Sequence, residues 1–499
     1  MVKTGALMIR YTSQNQLTFD GFKTPFDHNL NKKNRWVVLA ALLPWDKLAG
    51  EYAKKLNPSL GRYGIDIRVV LGAMIIKHKE KLSDRGTVLA IEENIYMQYF
   101  CGYSSFCPHC PFDASLFVEL RKRIGHDAYK KLNSHVINTY EELTGKKKAK
   151  KTNHAKTDRP VGESKMKNKN EHENQVDQSG RSITSEEQAP KKGKLKLDAT
   201  VADQYIKYPT DVNLLNESRE HTERIIDKLC KILSWPKKPR IHRRIARKFY
   251  LNLAKKKRKG KTEIRKGIKA QLQYLKRNIK VIHKMLDENS GQRWPLTKRD
   301  QRIFWVIQLI YSQQKEMYNN KTNRCDNRIV NIYQPYVRPI VRGKDKTKVE
   351  FGAKLSVSEF DGMCEVDQIH WEATHEAGDL PEQVEAYKNQ HGHYPEVVIV
   401  DRLYLNRDNR KWLKSRSIRY SGKPLGRPPK IGKTAYQKRK EKKEQASRNH
   451  IEGKFGQAKN GYNLNKIRAR LKETSESWIC GIFFIMNLTR LVKVHTSQL

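Results

Sequence analysis

Near the C-terminal end, Arg448-Asn-His-Ile-Glu452-Gly-Lys-Phe-Gly-Gln-Ala-Lys459 sets one acid between two bases. Arg448 and Glu452 lie four residues apart and share a face if the segment is helical. Lys459 follows seven residues after Glu452, two turns further along nearly the same stripe. A carboxylate on the buried side of a helix, flanked by cations, suits metal-dependent phosphoryl transfer when two further carboxylates can reach it. Two upstream acids qualify. Asp198 closes the alternating run Lys194-Leu-Lys-Leu-Asp198, which predicts a half-buried strand. Asp401 closes Glu396-Val-Val-Ile-Val-Asp401, a continuous apolar run that predicts a strand buried on both faces. Each acid also has a plain reading. An Asp at a strand end commonly forms a turn or caps a helix, and Arg448–Glu452 alone is a surface ion pair worth well under about 1 kcal/mol.

Bulk composition narrows the partner. The 499 residues carry 100 Lys and Arg against 53 Asp and Glu, a net charge of +47. A surplus of that size implies a polyanion, because clustered cations gain by neutralising phosphates and releasing counterions. Nucleic acid is the expectation, and a membrane is not: no run of about 20 apolar residues is legible. The longest apolar stretch, Trp478 to Met486, reads as a core helix. Met1-Val-Lys-Thr lacks the apolar stretch of a secretory signal, and seven scattered cysteines make no disulfide framework. An intracellular, cytoplasmic and nucleoid-associated protein is expected. Its length implies two or three domains.

The elements that must position the acids follow from patterning. Residues 20–145 predict an all-α N-terminal DNA-binding domain, with Ser83 capping one helix and Asp113 starting another that Gly125 ends. Short helices ending in Arg121-Lys122-Arg123 suit a helix-turn-helix reader, and a helical bundle without groove contact fits the same pattern. Residues 146–193, nearly without large apolar residues, predict a disordered polar linker. Residues 214–344 predict a basic helical insertion. Lys237 to Lys269 holds 16 Lys or Arg and one Glu, interleaved with Ile245, Phe249, Tyr250 and Leu251. Arg243, Arg244, Arg247 and Lys248 are its candidate DNA contacts. Strands return at Val349–Val357 and Met363–Trp371, joined through Glu359-Phe-Asp-Gly362, then a helix from Leu380 to Asn389. Arg427 to Lys443, with eight Lys or Arg and one Glu, predicts an exposed basic loop, and helices run from about Lys443 to Val494.

With the insertion removed, the order is strand, hairpin, helix, strand and late helix. That order is compatible with an α/β, ribonuclease-H-like catalytic domain built from residues 194–213 and 345–494. The three acidic segments resemble those of DDE transposases from bacterial insertion sequences. Leu197-Asp198-Ala-Thr with Tyr208-Pro-Thr-Asp211 resembles the first-acid strand, Val400-Asp401-Arg-Leu-Tyr404 the second, and Arg448-x3-Glu452-x6-Lys459 the third. Gln445 stands where that third signature usually has Tyr. Tyr99-Phe-Cys-Gly and Pro111-Phe-Asp-Ala-Ser-Leu resemble the same enzymes' N-terminal domain, so the likeness spans roughly 20 to 494 without the linker.

The resemblance implies a transposase that cuts element ends and joins the freed 3′ hydroxyl to target DNA. Asp198, Asp401 and Glu452 would hold two Mg²⁺ ions, with Mn²⁺ able to substitute. Arg448 and Lys459 would contact phosphates or steady the acids, and Tyr404 would stack on a base. Partners would be double-stranded DNA, as terminal inverted repeats and target, and a second copy in a homodimer or larger synaptic complex. A non-catalytic DNA-binding descendant, or a nuclease of the same fold without joining, are the alternatives. Asp203 and Asp211 compete for the first-acid role, but Asp198 ends the apolar run. Asp367, His370 and Glu376 follow the hairpin, where a place near the site is one reading and a satisfied structural role is the expected one. Cys101, Cys107 and Cys110 have zinc-like spacing without a second convincing pair.

Overall fold

The computed structural model describes residues 30–56, 64–109, 112–145, 191–290, 293–341, 349–372, 374–421 and 434–498. The linker expectation for 146–193 falls outside them except at 191–193, as do Cys110 and the first part of the basic tract from Arg427. Ahead of the first strand stand α1 (Arg35–Leu42), α2 (Trp45–Ala53), α3 (Ile67–Lys79), α4 (Asp84–Glu93), α5 (Ile95–Phe100), α6 (Leu116–Arg123) and α7 (His126–Leu143). Four of them start where a side chain accepts an orphan backbone N–H: Asn34, Asp66, Ser83 and Asn94. Asp113 instead accepts from Ser115 N, and its helix begins three residues later.

The chain then forms β1 (Lys194–Asp203), α8 (Asp211–Ile232), α9 (Arg243–Ala254), α10 (Lys261–Asp287), α11 (Lys298–Asn319), β2 (Arg338–Val341), β3 (Val349–Phe360) and β4 (Met363–His370). After these come α12 (Leu380–His391), β5 (Val397–Ile399), α13 (Arg407–Ser415), β6 (Arg419–Ser421), α14 (Ala435–Ser447), α15 (Asn449–Gly456) and α16 (Lys472–Thr496). The architecture is mixed α/β. One sheet runs β2-β3-β1-β5-β6, with β4 on the edge of β3 that β2 shares. β1 is antiparallel to β3 and parallel to β5, and β5 is parallel to β6. Asp361 and Gly362, with φ of 51° and 85°, make the tight turn between β3 and β4.

Three expectations change here. Asp198 sits in the middle of β1, since Ala199 to Ala202 stay buried and paired with β3 up to Asp203. The basic tract expected as a loop is helical over Ala435–Ser447, where Thr434 and Gln437 form a capping box. The apolar run from Trp478 extends into 25-residue α16, long and apolar enough by composition to cross a membrane. Most of that helix is buried inside the protein. Phe484, Ile485 and Leu488 join a core made with α1–α7, and Ile479, Ile482 and Phe483 join one made with β3 and β4. α8–α11 keep two apolar clusters, one around Leu275 and Ile307 and one around Ile226 and Ile282. The insertion is therefore held largely by its own packing.

Candidate active site

β1 and β5 run side by side and in parallel toward the first two acids. Lys196 pairs with Ile399 in the parallel ladder, and two residues further along each chain stand Asp198 and Asp401. Neighbouring strands lie about 4.8 Å apart, and residues two apart keep the same face. Asp401 follows the last paired residue closely, and its Oδ1 accepts from Arg402 N at 2.6 Å, capping the short turn Arg402–Tyr404. α15 brings the third acid. Arg448, where α14 ends and α15 begins, donates from Nη1 to Asp198 Oδ2 at 3.4 Å. Its Nη2 lies 2.9 Å from Glu452 Oε1, the i,i+4 pair the spacing predicts. Glu452 is half-exposed at 51%, not turned to the buried side, because α15 buries Ile451 and Phe455 instead.

Asp198 is the electrostatic centre. Burial pushes its carboxyl up to about 6; Glu376 and Glu452 add to the rise, while the Ala199 N–H and Arg448 oppose it. Glu376 opens the turn Glu376–Asp379 and pairs with Lys354 Nζ at 2.8 Å, so it is held as well as near. Asp367 is buried and accepts from Ser358 and Gln383, and His370 meets Asp379 at 2.9 Å; both are structural. Asp211 is structural too, accepting from Arg328 and Gln314 at the start of α8.

Other expected roles are corrected. Tyr404 is fully buried, so its ring has no face for a base; burial first, and then nearby carboxylates, push its phenol up. Lys459 lies in a π turn, Gln457–Gly461, which breaks the helical stripe after α15. Its Nζ pairs with Glu350 Oε1 on β3 at 3.0 Å, a partner 109 residues away that no local pattern marks. Arg243 is taken by Glu223 at 3.1 Å and Asp227 at 2.7 Å. Arg244, Arg247 and Lys248 remain exposed on α9 beside Ile245 and Phe249. At the basic end of α6, Arg121 is bidentate to Asp84 and Lys122 pairs with Glu119.

Among the described residues, no group of three or more His, Cys, Asp or Glu side chains is close enough to hold a metal ion. Cys101 is buried and Cys107 donates to His109 O, so the described part of the cysteine cluster makes no such group either. The Arg448 guanidinium supplies the positive charge between Asp198 and Glu452. The donor chemistry still fits a hard divalent cation. Asp198, Asp401 and Glu452 offer carboxylate oxygens, and Asp198, with its raised proton affinity, is a carboxylate that further positive charge would stabilise.

Fold and site define a mixed α/β protein in which Arg448 links an acid of β1 to one of α15, in a strongly basic chain. Residues 24–123 match a family described as a transposase domain, and residues 398–489 match one described as a transposase DDE domain. These two matches support a DDE-type transposase of insertion sequences. The second match contains Asp401, Arg448, Glu452 and Lys459, while Asp198 lies outside both. An uncharacterised protein, ORF8 of the nfe locus in Rhizobium meliloti, is 34% identical over 113 residues, covering 23% of this chain. The chain spans about half, 54%, of that relative's length. No solved structure matches the chain.

Proposed function

We propose that the chain is a transposase that binds insertion-sequence ends and catalyses metal-dependent cleavage and strand transfer through Asp198, Asp401 and Glu452. The observation that supports this reading is Arg448, which meets both Asp198 and Glu452, while Asp401 follows the end of β5, the parallel neighbour of β1. The strand order, with the first strand antiparallel to the hairpin and parallel to β5, supports a ribonuclease-H-like fold for this part. The three carboxylates would hold two Mg²⁺ ions, or Mn²⁺, supplying an activated attacking oxygen and a stabilised leaving oxygen. Asp198, fixed mid-strand, would orient the set, and Glu452, half-exposed on α15, can move to complete it. Arg448 would exchange its carboxylates for a DNA phosphate as the acids take up cations. Exposed cations on α9 and α14 would supply affinity for duplex DNA, and two copies would handle two ends together. The protein would act in the cytoplasm, at the nucleoid.

The test is product analysis. Duplex DNA carrying the element's terminal inverted repeats, with Mg²⁺, should give cleaved ends and then joined products in a target plasmid. Cleavage without joining would identify a nuclease of this fold, and tight binding with neither product a non-catalytic binder.

A further inference from the structure

A cleft of about 300 Å³ lies between the N-terminal helices and the chain that follows the π turn, well away from the candidate acids. Its walls include Lys81, Arg121, Lys466, Arg468 and Trp478. On one wall, Ile467 N donates to Asp203 O at 2.9 Å and Tyr205 N donates to Ile467 O at 2.9 Å. That pairing turns Ile467 inward, fully buried, and leaves Lys466 and Arg468 outward by simple alternation. Asp203 is five residues along β1 from Asp198, about 17 Å at ordinary strand rise. On the opposite wall, Lys81 holds φ of 58° just after α3, where Leu82 N closes the helix end onto Lys77 O at 3.0 Å. Glycine is the usual residue at such a position, so a lysine there is held against backbone preference.

The charge on these walls is unbalanced. Asp84 is the carboxylate of the described lining, and it is already shared by Lys77 at 3.0 Å and Arg121 at 2.7 Å. Among the described residues, Lys81, Lys466 and Arg468 have no carboxylate partner; Arg468 lies over the Tyr205 ring at 5.7 Å. α4 also begins at this wall, bringing the positive end of a ten-residue helix to the same cleft. Fixed cations converging on a concave surface concentrate anions there.

We propose that this cleft binds a phosphate group, gripped by Lys81 from the helical N-terminal half and by Lys466 and Arg468 from the C-terminal half. A bound phosphate would tie the two halves together. Its bearer is either a DNA strand or a free nucleotide; only the strand-borne case rests on the transposase reading.

The experiment compares the full chain with Lys81→Gln/Lys466→Gln/Arg468→Gln, with single Arg468→Gln, and with a control, Lys269→Gln/Lys276→Gln/Lys280→Gln, at exposed positions of α10. Inorganic phosphate should raise the melting temperature of wild type and control above that in chloride at equal ionic strength. The triple cleft variant should lose most of that rise, and the single variant part of it. In a second arm, duplex DNA binding is titrated over a salt series, where each strand phosphate no longer held in the cleft flattens the slope by about 0.9. Loss of the phosphate response with an unchanged slope assigns the cleft to a free phosphate or nucleotide. A flattened slope, with or without loss of the response, assigns it to a strand. Cleft variant and wild type alike in both arms would overturn the proposal.

Discussion

Arg448 and Asp198, 250 residues apart in the chain, meet at 3.4 Å where α15 crosses β1. The same guanidinium holds Glu452 at the shorter distance of 2.9 Å. Distance and burial thus favour different pairs. Asp198 is 15% exposed and Glu452 51%, and solvent screening of an exposed pair outweighs half an ångström. Double-mutant cycles by chemical denaturation should give a coupling of about 1 kcal/mol for Arg448→Gln with Asp198→Asn. The coupling with Glu452→Gln should be roughly 0.3–0.5 kcal/mol. The reverse order would mean that the β1 contact does not persist in solution.

Asp198 should also make stability depend on pH in metal-free buffer. Its folded carboxyl titrates at about 6, above the 3.8 of the free side chain. The folded state therefore binds the proton more tightly, and stability is lost as pH rises from about 4 through about 6. Above that window the loss is on the order of 2 kcal/mol, allowing for partial exposure. Asp198→Asn should melt higher than wild type at about pH 7.5 and nearly equal to it at about pH 4. A gap of equal size at both pH values would contradict the raised carboxyl.

The basic helix α9 divides into structural and free cations. Arg243→Ala removes a partner from Glu223, whose side chain is 4% exposed, and from Asp227. It should destabilise the protein by about 2 kcal/mol while leaving the salt slope of duplex binding close to wild type. Arg244→Ala/Arg247→Ala/Lys248→Ala should do the opposite, preserving the melting temperature and flattening the slope by up to about 0.9 for each phosphate no longer neutralised. Calorimetry and salt titrations on both variants separate the two effects.

The register of β1 depends on a close approach at Gly352. A Cβ there would stand 1.8 Å from the Ala202 carbonyl oxygen. Gly352→Ala should cost about 3 kcal/mol by forcing β3 away from β1. Hydrogen exchange should show weakened protection at Val201 to Asp203 first. Unchanged protection there would show that the strands tolerate the methyl.

Much of this is legible in the sequence, and the failures have a common cause. The strand ahead of Asp401 is marked by its apolar run, and the hairpin by Asp361-Gly362, because burial and turn chemistry are local signals. β1 runs past Asp198 to Asp203 because a strand in the sheet interior buries both faces, and alternation ceases to mark its end. The fates of Arg243, Tyr404 and Lys459 are not legible. Composition shows that a cation or an aromatic is present, but its partner is chosen by packing, as with Glu350 on a strand 109 residues away. Glu376 stands in view as a residue after the hairpin, yet only the folded sheet sets its charge beside Asp198.

On the proposed function, Asp198, Asp401 and Glu452 act together on DNA. The direct measurement is cleavage of an end-bearing duplex in Mg²⁺ by wild type, Asp198→Asn, Asp401→Asn and Glu452→Gln, with binding of the same duplex measured in parallel. Each variant should bind within a few-fold of wild type if, as proposed, affinity resides in the basic surfaces, and each should lose cleavage by several orders of magnitude. Wild-type cleavage retained in any one of the three would contradict the assignment of that acid, and retention in all three would place the chemistry elsewhere.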